Sequence, residues 1–112
     1  MSTVSFELAS VPSPAGSGPG IAVVQVRGEI DVTNAGGLHD ALAQRASPAL
    51  VVDLSCVGYF DSAGFAVLDR LLSQAPVAVV APPGSVVRTA MSLMNLPFHD
   101  SIDAAQAVLA GG

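Results

Sequence analysis

The most pronounced chemical signal in the chain is the string Asp61-Ser62-Ala63-Gly64, an acid and a hydroxyl side by side ahead of an apolar helical pattern. Asp and Ser are favoured at helix starts because a side-chain oxygen accepts from the free N–H groups of the first turn. Those N–H groups and the positive end of the helix dipole also tolerate an anion. A phosphate on Ser62 would add about −1.5 to −2 charges and three acceptor oxygens, and the domain is expected to stay folded. A partner packed flat on this turn would instead meet a hydrated dianion beside Asp61 and Asp31. At an effective dielectric near 20, one misplaced charge pair at 4 Å is worth roughly 4 kcal/mol, about a thousandfold in affinity. Capping alone also selects Asp-Ser at a helix start, so the string by itself allows either a structural role or a modification site.

Other chemistries are poorly supplied. A serine hydrolase needs a base, and the chain has only His39 and His99, while Phe60-Asp61-Ser62-Ala63-Gly64 is not a G-x-S-x-G elbow. One cysteine, Cys56, and two distant histidines offer no metal-ligand spacing, so no metal and no cofactor is expected, and no enzyme activity. The only basic residues are Arg27, Arg45, Arg70 and Arg88, against nine carboxylates, for a net charge of −5. That balance repels nucleic-acid backbones and favours a partner with a basic face. Aromatic residues, at 4%, are too few to form a base-stacking platform. A nucleotide-binding module using helix N-termini is a further reading, but it lacks the lysine and glycine loop of a phosphate-binding site.

The 112 residues, 51% of them hydrophobic, suit one compact domain without disulfide or metal support. No apolar run reaches the ~20 residues a bilayer crossing needs, and the first residues lack a secretory pattern. A cytoplasmic location without a membrane span is therefore expected.

Alternation over residues 4–8 predicts a first strand, followed by a flexible Ser/Pro/Gly-rich loop over 9–20. A second strand is predicted over 21–26, paired with the first as a long-looped hairpin. Gly28-Glu29-Ile30-Asp31 leaves its end, and Thr33 or Asn34 caps a helix with Leu38, Leu42 and Ala46 on one face. Gly36 and Gly37 weaken its first turn, at about 1 kcal/mol each, which predicts a late or frayed start. Residues 50–54 form a central strand interrupted only by Asp53, read as a partly buried, hydrogen-bonded carboxylate. Asp61 or Ser62 caps the next helix, with Phe65, Leu68, Leu71 and Leu72 inward and Asp69 and Arg70 off that stripe. A strand over 77–81 follows, then a helix capped by Ser85 with Val86, Val87, Ala90, Leu93 and Met94 as its apolar face. Met91 and Met94 are core filler on this reading, with docking as the alternative use of methionine. Asp103 caps a last helix to about Leu109, and Gly111-Gly112 is loose. The expected fold is α/β, a mixed sheet of four to five strands with helices mainly on one face. Sites in such sheets gather at the carboxyl ends of strands, which is where 28–31 and 59–64 fall.

Three strings together resemble the STAS domain of the anti-sigma factor antagonist (anti-anti-sigma factor) family. Gly28-Glu29-Ile30-Asp31 resembles the family's Gly-x-Leu-Asp, Asp53-Leu54-Ser55 its Asp-Leu-Ser strand, and Asp61-Ser62-Ala63-Gly64 its Asp-Ser-[Ser/Thr/Ala]-Gly loop. The likeness spans residues 4–109. It implies that Ser62 is phosphorylated by the anti-sigma factor, a serine kinase that brings its own ATP and magnesium. It also implies that the unphosphorylated form binds that kinase and frees a sigma factor, that a metal-dependent serine phosphatase resets the switch, and that Asp31 lies near Ser62. The expected contact face comprises Asp31, the 59–64 turn with Asp61, Ala63 and Gly64, and Asp69 and Arg70 on the following helix. Ala63 replaces a second loop hydroxyl, leaving Ser62 as the one acceptor in the turn. The loop over 9–20 is longer than the family needs, and Gly36-Gly37 stands where a firm helix turn is usual. The same fold also serves as a subunit of lipid-import transporters and stressosome-like assemblies, the alternative setting.

Overall fold

The computed structural model describes residues 5–12, 21–46 and 49–111. Four strands form one mixed sheet in the spatial order β1 (Phe6–Ser10), β2 (Ile21–Ile30), β3 (Ala49–Phe60) and β4 (Val77–Val80). β1 is antiparallel to β2, while β2, β3 and β4 run parallel. The helices are α1 (Ala35–Ala43), α2 (Ser62–Gln74), α3 (Arg88–Leu93) and α4 (Ile102–Gly111). A single bridge between Val80 and His99 makes the rudiment of a fifth strand. The α/β order and the mixed sheet are those expected from the sequence.

Leu50, Val51, Val52 and Leu54 of β3 are fully buried, as a strand covered on both faces requires. On one face Val24, Val26, Leu50, Val52 and Leu54 pack with Leu38 and Leu42 of α1, Phe65, Leu68 and Leu71 of α2, and Met91 of α3. On the other, Val23, Val51, Ala78 and Val80 pack with Ala105 and Ile102 of α4. Three of the four helices thus share a face. Burying a leucine is worth about 1.5–3 kcal/mol. Leu38 and Leu42 together therefore outweigh the helix cost of Gly36 and Gly37, which lie inside α1 instead of delaying it.

Several boundaries depart from expectation for local reasons. β1 continues through Ser10, so Ala9 and Ser10 belong to the strand, and Val11 still donates to the Val23 carbonyl at 2.9 Å; residues 13–20 of the expected loop lie outside the described residues. Ala46 is buried but lies beyond the end of α1. The largest difference is β3, which runs on from Leu54 to Phe60. Its pairing with β2 jumps from Gln25↔Asp53 to Arg27↔Cys56 and from Gly28↔Val57 to Glu29↔Tyr59. Each jump is a bulge with one extra residue in β3. Asp53 supports the first: its Oδ1 accepts from the Ser55 amide at 2.9 Å and its Oδ2 from Gln25 Nε2 at 3.3 Å. This buried carboxylate is hydrogen-bonded, as read from the sequence.

Ser85 does not cap α3. Backbone turns from Ser85 to Pro82 and from Arg88 to Ser85 lead into the helix, and the Ser85 hydroxyl is buried with no partner among the described residues. Arg88 instead ties α3 down, donating to the Ala81 carbonyl at 2.9 Å and to Asp100 at 2.6 Å while lying over the Phe98 ring. The end of α3 overturns the reading of its apolar face. Asn95 takes a positive φ of 57°, Leu96 N–H bonds to the Met91 carbonyl at 3.0 Å and Asn95 N–H to that of Ser92 at 3.1 Å. This is a Schellman closure. Val87 and Met91, four residues apart, face inward, whereas Val86, Leu93 and Met94 are exposed. In α4 the cap is Ser101, whose hydroxyl accepts from the Ala104 amide at 3.1 Å; Asp103 sits within the first turn. Gly111 remains helical, and Gly112 is outside the described residues.

Candidate functional site

β2 and β3 end side by side with Ile30 opposite Phe60. The next residues on the two chains are Asp31 and Asp61, so parallel pairing alone brings the two carboxylate loops together at the carboxyl edge of the sheet. The Asp61 amide donates to the Ile30 carbonyl at 3.2 Å, fixing the junction. Asp61 is the N-cap of α2: its backbone is extended, at φ −99° and ψ −172°, and its Oδ1 accepts from the Ala63 amide at 2.9 Å. Ser62 is then the first helical residue, exposed, with no hydrogen-bond partner for its hydroxyl among the described residues. The sequence left the cap open between Asp61 and Ser62; Asp61 fills it and leaves the serine hydroxyl unengaged.

Gly64 enters the site through packing and not through exposure. It is buried, and a Cβ added there would stand 2.6 to 2.9 Å from the Phe60 ring. Phe60 in turn meets Phe65 edge-on, with centroids 4.9 Å apart. The first turn of α2 is thereby pressed onto the last residue of β3. Ala63 is half-buried against the same core.

Asp31 is organised by its own loop. Its Oδ1 accepts from the Thr33 amide at 2.8 Å and from the Thr33 hydroxyl, and these bonds hold its carboxyl below the ordinary aspartate value. Neither Thr33 nor Asn34 caps α1 with its side chain. Asn34 is the N-cap residue, but its side chain turns back, accepting from the Asp31 amide at 2.9 Å and donating to the Glu29 carbonyl at 2.9 Å. Two residues before the end of β2, Gly28 takes a φ of +102°, and a Cβ there would overlap the Ser5 carbonyl oxygen, so the close approach of the first strand requires glycine.

Along α2, Ser62 shares an open groove of about 290 Å³ with Phe65, Ala66, Asp69, Met94 and Leu96. Asp69 and Arg70 are both exposed, but only Asp69 borders the groove. Tyr59 is half-exposed, and strand alternation turns it to the sheet face opposite Phe60. His39 lies between α1 and α2 near Gln74, and His99 sits on the rudimentary fifth strand. Neither borders the groove that holds Ser62. Cys56 is exposed on β3. No helix among the described residues is long and apolar enough to cross a membrane.

A family model described as the STAS domain matches residues 16–108. The chain belongs to the STAS domain family. Among curated proteins, the anti-sigma-F factor antagonist RsfB of Mycobacterium tuberculosis is 35% identical over 83 residues, covering 69% of this chain and 68% of that protein. The crystal structure of an anti-sigma factor antagonist from Mycobacterium paratuberculosis superimposes with a TM-score of 0.76 at 28% identity, covering 94% of both chains. The unphosphorylated form of the anti-sigma factor antagonist SpoIIAA matches with a TM-score of 0.62 at 14% identity over 96% of this chain and 98% of that one, a likeness of fold.

In this STAS domain, sequence reading missed three surface residues beside the site. Val32, 77% exposed next to Asp31, belongs to no motif that singles it out, and Leu93, 83% exposed at the end of α3, was assigned to that helix's apolar face. Leu96, just beyond α3, also lines the groove. The available signal was Asn95, a residue tolerant of positive φ placed where a helix must stop.

Proposed function

We propose that the chain is a single cytoplasmic STAS domain acting as an anti-sigma factor antagonist, bound in its unphosphorylated form to an anti-sigma factor that is a serine kinase. Binding frees the sigma factor. The domain is the kinase's substrate, and ATP and magnesium are the kinase's own. Ser62 Oγ bonds to the γ-phosphorus of ATP as the bond from that phosphorus to the ADP oxygen breaks, and the hydroxyl proton passes to a base of the kinase. A metal-dependent serine phosphatase returns Ser62 by hydrolysis of the ester.

The observation that carries this reading is the division of labour between neighbours: Asp61 caps α2, and Ser62 stands exposed with its hydroxyl unengaged. Phosphorylating Ser62 therefore costs the helix no cap, and the dianion meets the helix N-terminus favourably. Any surface lying flat over Asp31, Asp61, Ala63, Asp69 and Arg70 must accommodate it without water. The curated relative and the structural relative are both named anti-sigma factor antagonists, which supports the same partner class.

The test is to incubate the protein with each anti-sigma factor kinase of its genome, with ATP and magnesium, and map phosphate by mass spectrometry. One phosphate on Ser62 is expected, together with loss of kinase binding by the modified form. Undiminished labelling of Ser62→Ala would overturn the site, and absence of both binding and labelling with every such kinase would overturn the function.

A further inference from the structure

The groove beside Ser62 has three chemically distinct zones. Ser62 marks one end; Phe65, Ala66, Met94 and Leu96 line an apolar middle; Asp69 marks the other end. Asp69 lies seven positions after Ser62, about 10.5 Å along the axis at ~1.5 Å per residue. Two residues after α3 form part of the apolar wall. Met94 is 46% exposed at the helix end, and Asn95, at positive φ, turns the chain so that Leu96 reaches the same groove. Asp69, for its part, has no cation or side-chain donor among the described residues; the Ser73 hydroxyl that reaches it bonds to its backbone carbonyl.

We infer that this groove seats one segment of the anti-sigma factor, with an aliphatic side chain between Phe65 and Met94 and a lysine or arginine pairing with Asp69. The inference rests on the partner class proposed above and adds the chemistry by which that partner is chosen. Charge complementarity selects the occupant. A second copy of this chain would bring a net charge of −5, no lysine and nine carboxylates against four arginines, so the two faces would repel on balance. A basic, aliphatic segment of another protein satisfies both zones. The exposed methionine suits it, since an unbranched thioether adapts to the shape it meets.

The layout also separates affinity from switching. A phosphate on Ser62 hydrates the neighbouring apolar middle of the groove and excludes the aliphatic side chain. The cation at the far end keeps its carboxylate partner, Asp69, whether or not Ser62 is modified. Phosphorylation thus acts on the apolar contact, while Asp69 governs which partner is drawn in.

The experiment is calorimetric titration of the full chain with the anti-sigma factor kinase it binds, comparing the unsubstituted protein with Met94→Glu, Asp69→Lys and the α4 control Val108→Glu. Losses of at least about tenfold are expected for Met94→Glu and Asp69→Lys, with unchanged circular-dichroism melts. Val108→Glu should bind as the unsubstituted chain does, and the salt dependence of binding should flatten only in Asp69→Lys. A photo-crosslinking residue at Leu93 should label a kinase peptide that contains both an aliphatic and a basic residue. Unaltered binding by Met94→Glu and Asp69→Lys, or crosslinking to a second copy of the chain, overturns the groove assignment while leaving the partner class standing. Failure of the unsubstituted chain to bind any anti-sigma factor kinase overturns the partner class itself, and the groove's occupant with it.

Discussion

The Asp61 amide donates to the Ile30 carbonyl across 3.2 Å, and this one bond sets the distance between the loop that carries Asp31 and the helix that carries Ser62. Asp31 follows Ile30 directly and Asp61 follows Phe60, with Ile30 opposite Phe60 and Ser62 one residue further on. The approach of the two loops is therefore a property of strand register and does not depend on long side chains finding one another.

Gly64→Ala should destabilise the domain even though alanine is the better helix former by about 1 kcal/mol. The added Cβ would meet the Phe60 ring at 2.6 Å, and overpacking of this kind costs about 1–3 kcal/mol. A lowered urea midpoint is expected, and Gly64→Ala should cost less in a Phe60→Leu background than in the unsubstituted protein. Simple additivity of the two changes would show that the ring contact is not the cause.

Asp61→Ala removes the side-chain oxygen that accepts from the Ala63 amide and should cost about 1 kcal/mol of unfolding free energy. Asp61→Ser, which keeps an acceptor at the cap, should retain most of it. Equal losses in both variants, measured by chemical denaturation, would contradict the capping role.

Ser62→Asp should leave the thermal midpoint nearly unchanged, since the side chain is exposed and unbonded and surface changes of this type stay within about 0.5 kcal/mol. Binding to the anti-sigma factor kinase should nevertheless weaken. A large drop in melting temperature would identify Ser62 as a structural residue.

The Asp31 carboxyl should titrate below the ordinary aspartate value, because the Thr33 hydroxyl and amide both donate to it. A depressed folded-state value means that the ionised form is favoured by folding. The resulting contribution is present above the unfolded-state value of about 4 and is lost as pH falls through the lower folded-state value. Thr33→Val removes the hydroxyl and should raise the midpoint, as followed by carboxyl NMR; a midpoint unmoved by Thr33→Val would assign the shift elsewhere.

Much of the fold was legible because its signals are local. Leu50, Val51, Val52 and Leu54 announce a strand buried on both faces, and Phe65, Leu68 and Leu71 announce the stripe of α2. The continuation of β3 was not legible. Its inward residues step from Leu54 to Val57 to Phe60, a spacing of three that alternation cannot detect and that arises only through pairing with β2. At the end of α3, outward Leu93 and Met94 follow from a helical phase that places Val87 and Met91 inward, which five apolar residues in the eight positions 87–94 do not specify. At the site, Asp31 and Ser62 were identifiable as chemistry, whereas the groove wall was not, because Met94 and Leu96 reach it from an element distant in sequence.

The two extra residues in β3 constrain how this strand can change in length. Each bulge takes up one residue that has no counterpart in β2, so losing that residue would straighten β3 while Ile30 stays opposite Phe60 and Asp61 stays at the strand end. Losing a paired residue instead would slip every later residue of β3 by one place against β2 and carry Phe60 out of the core. Single-residue changes in the length of β3 are therefore absorbed at the two bulges and not at the paired positions between them.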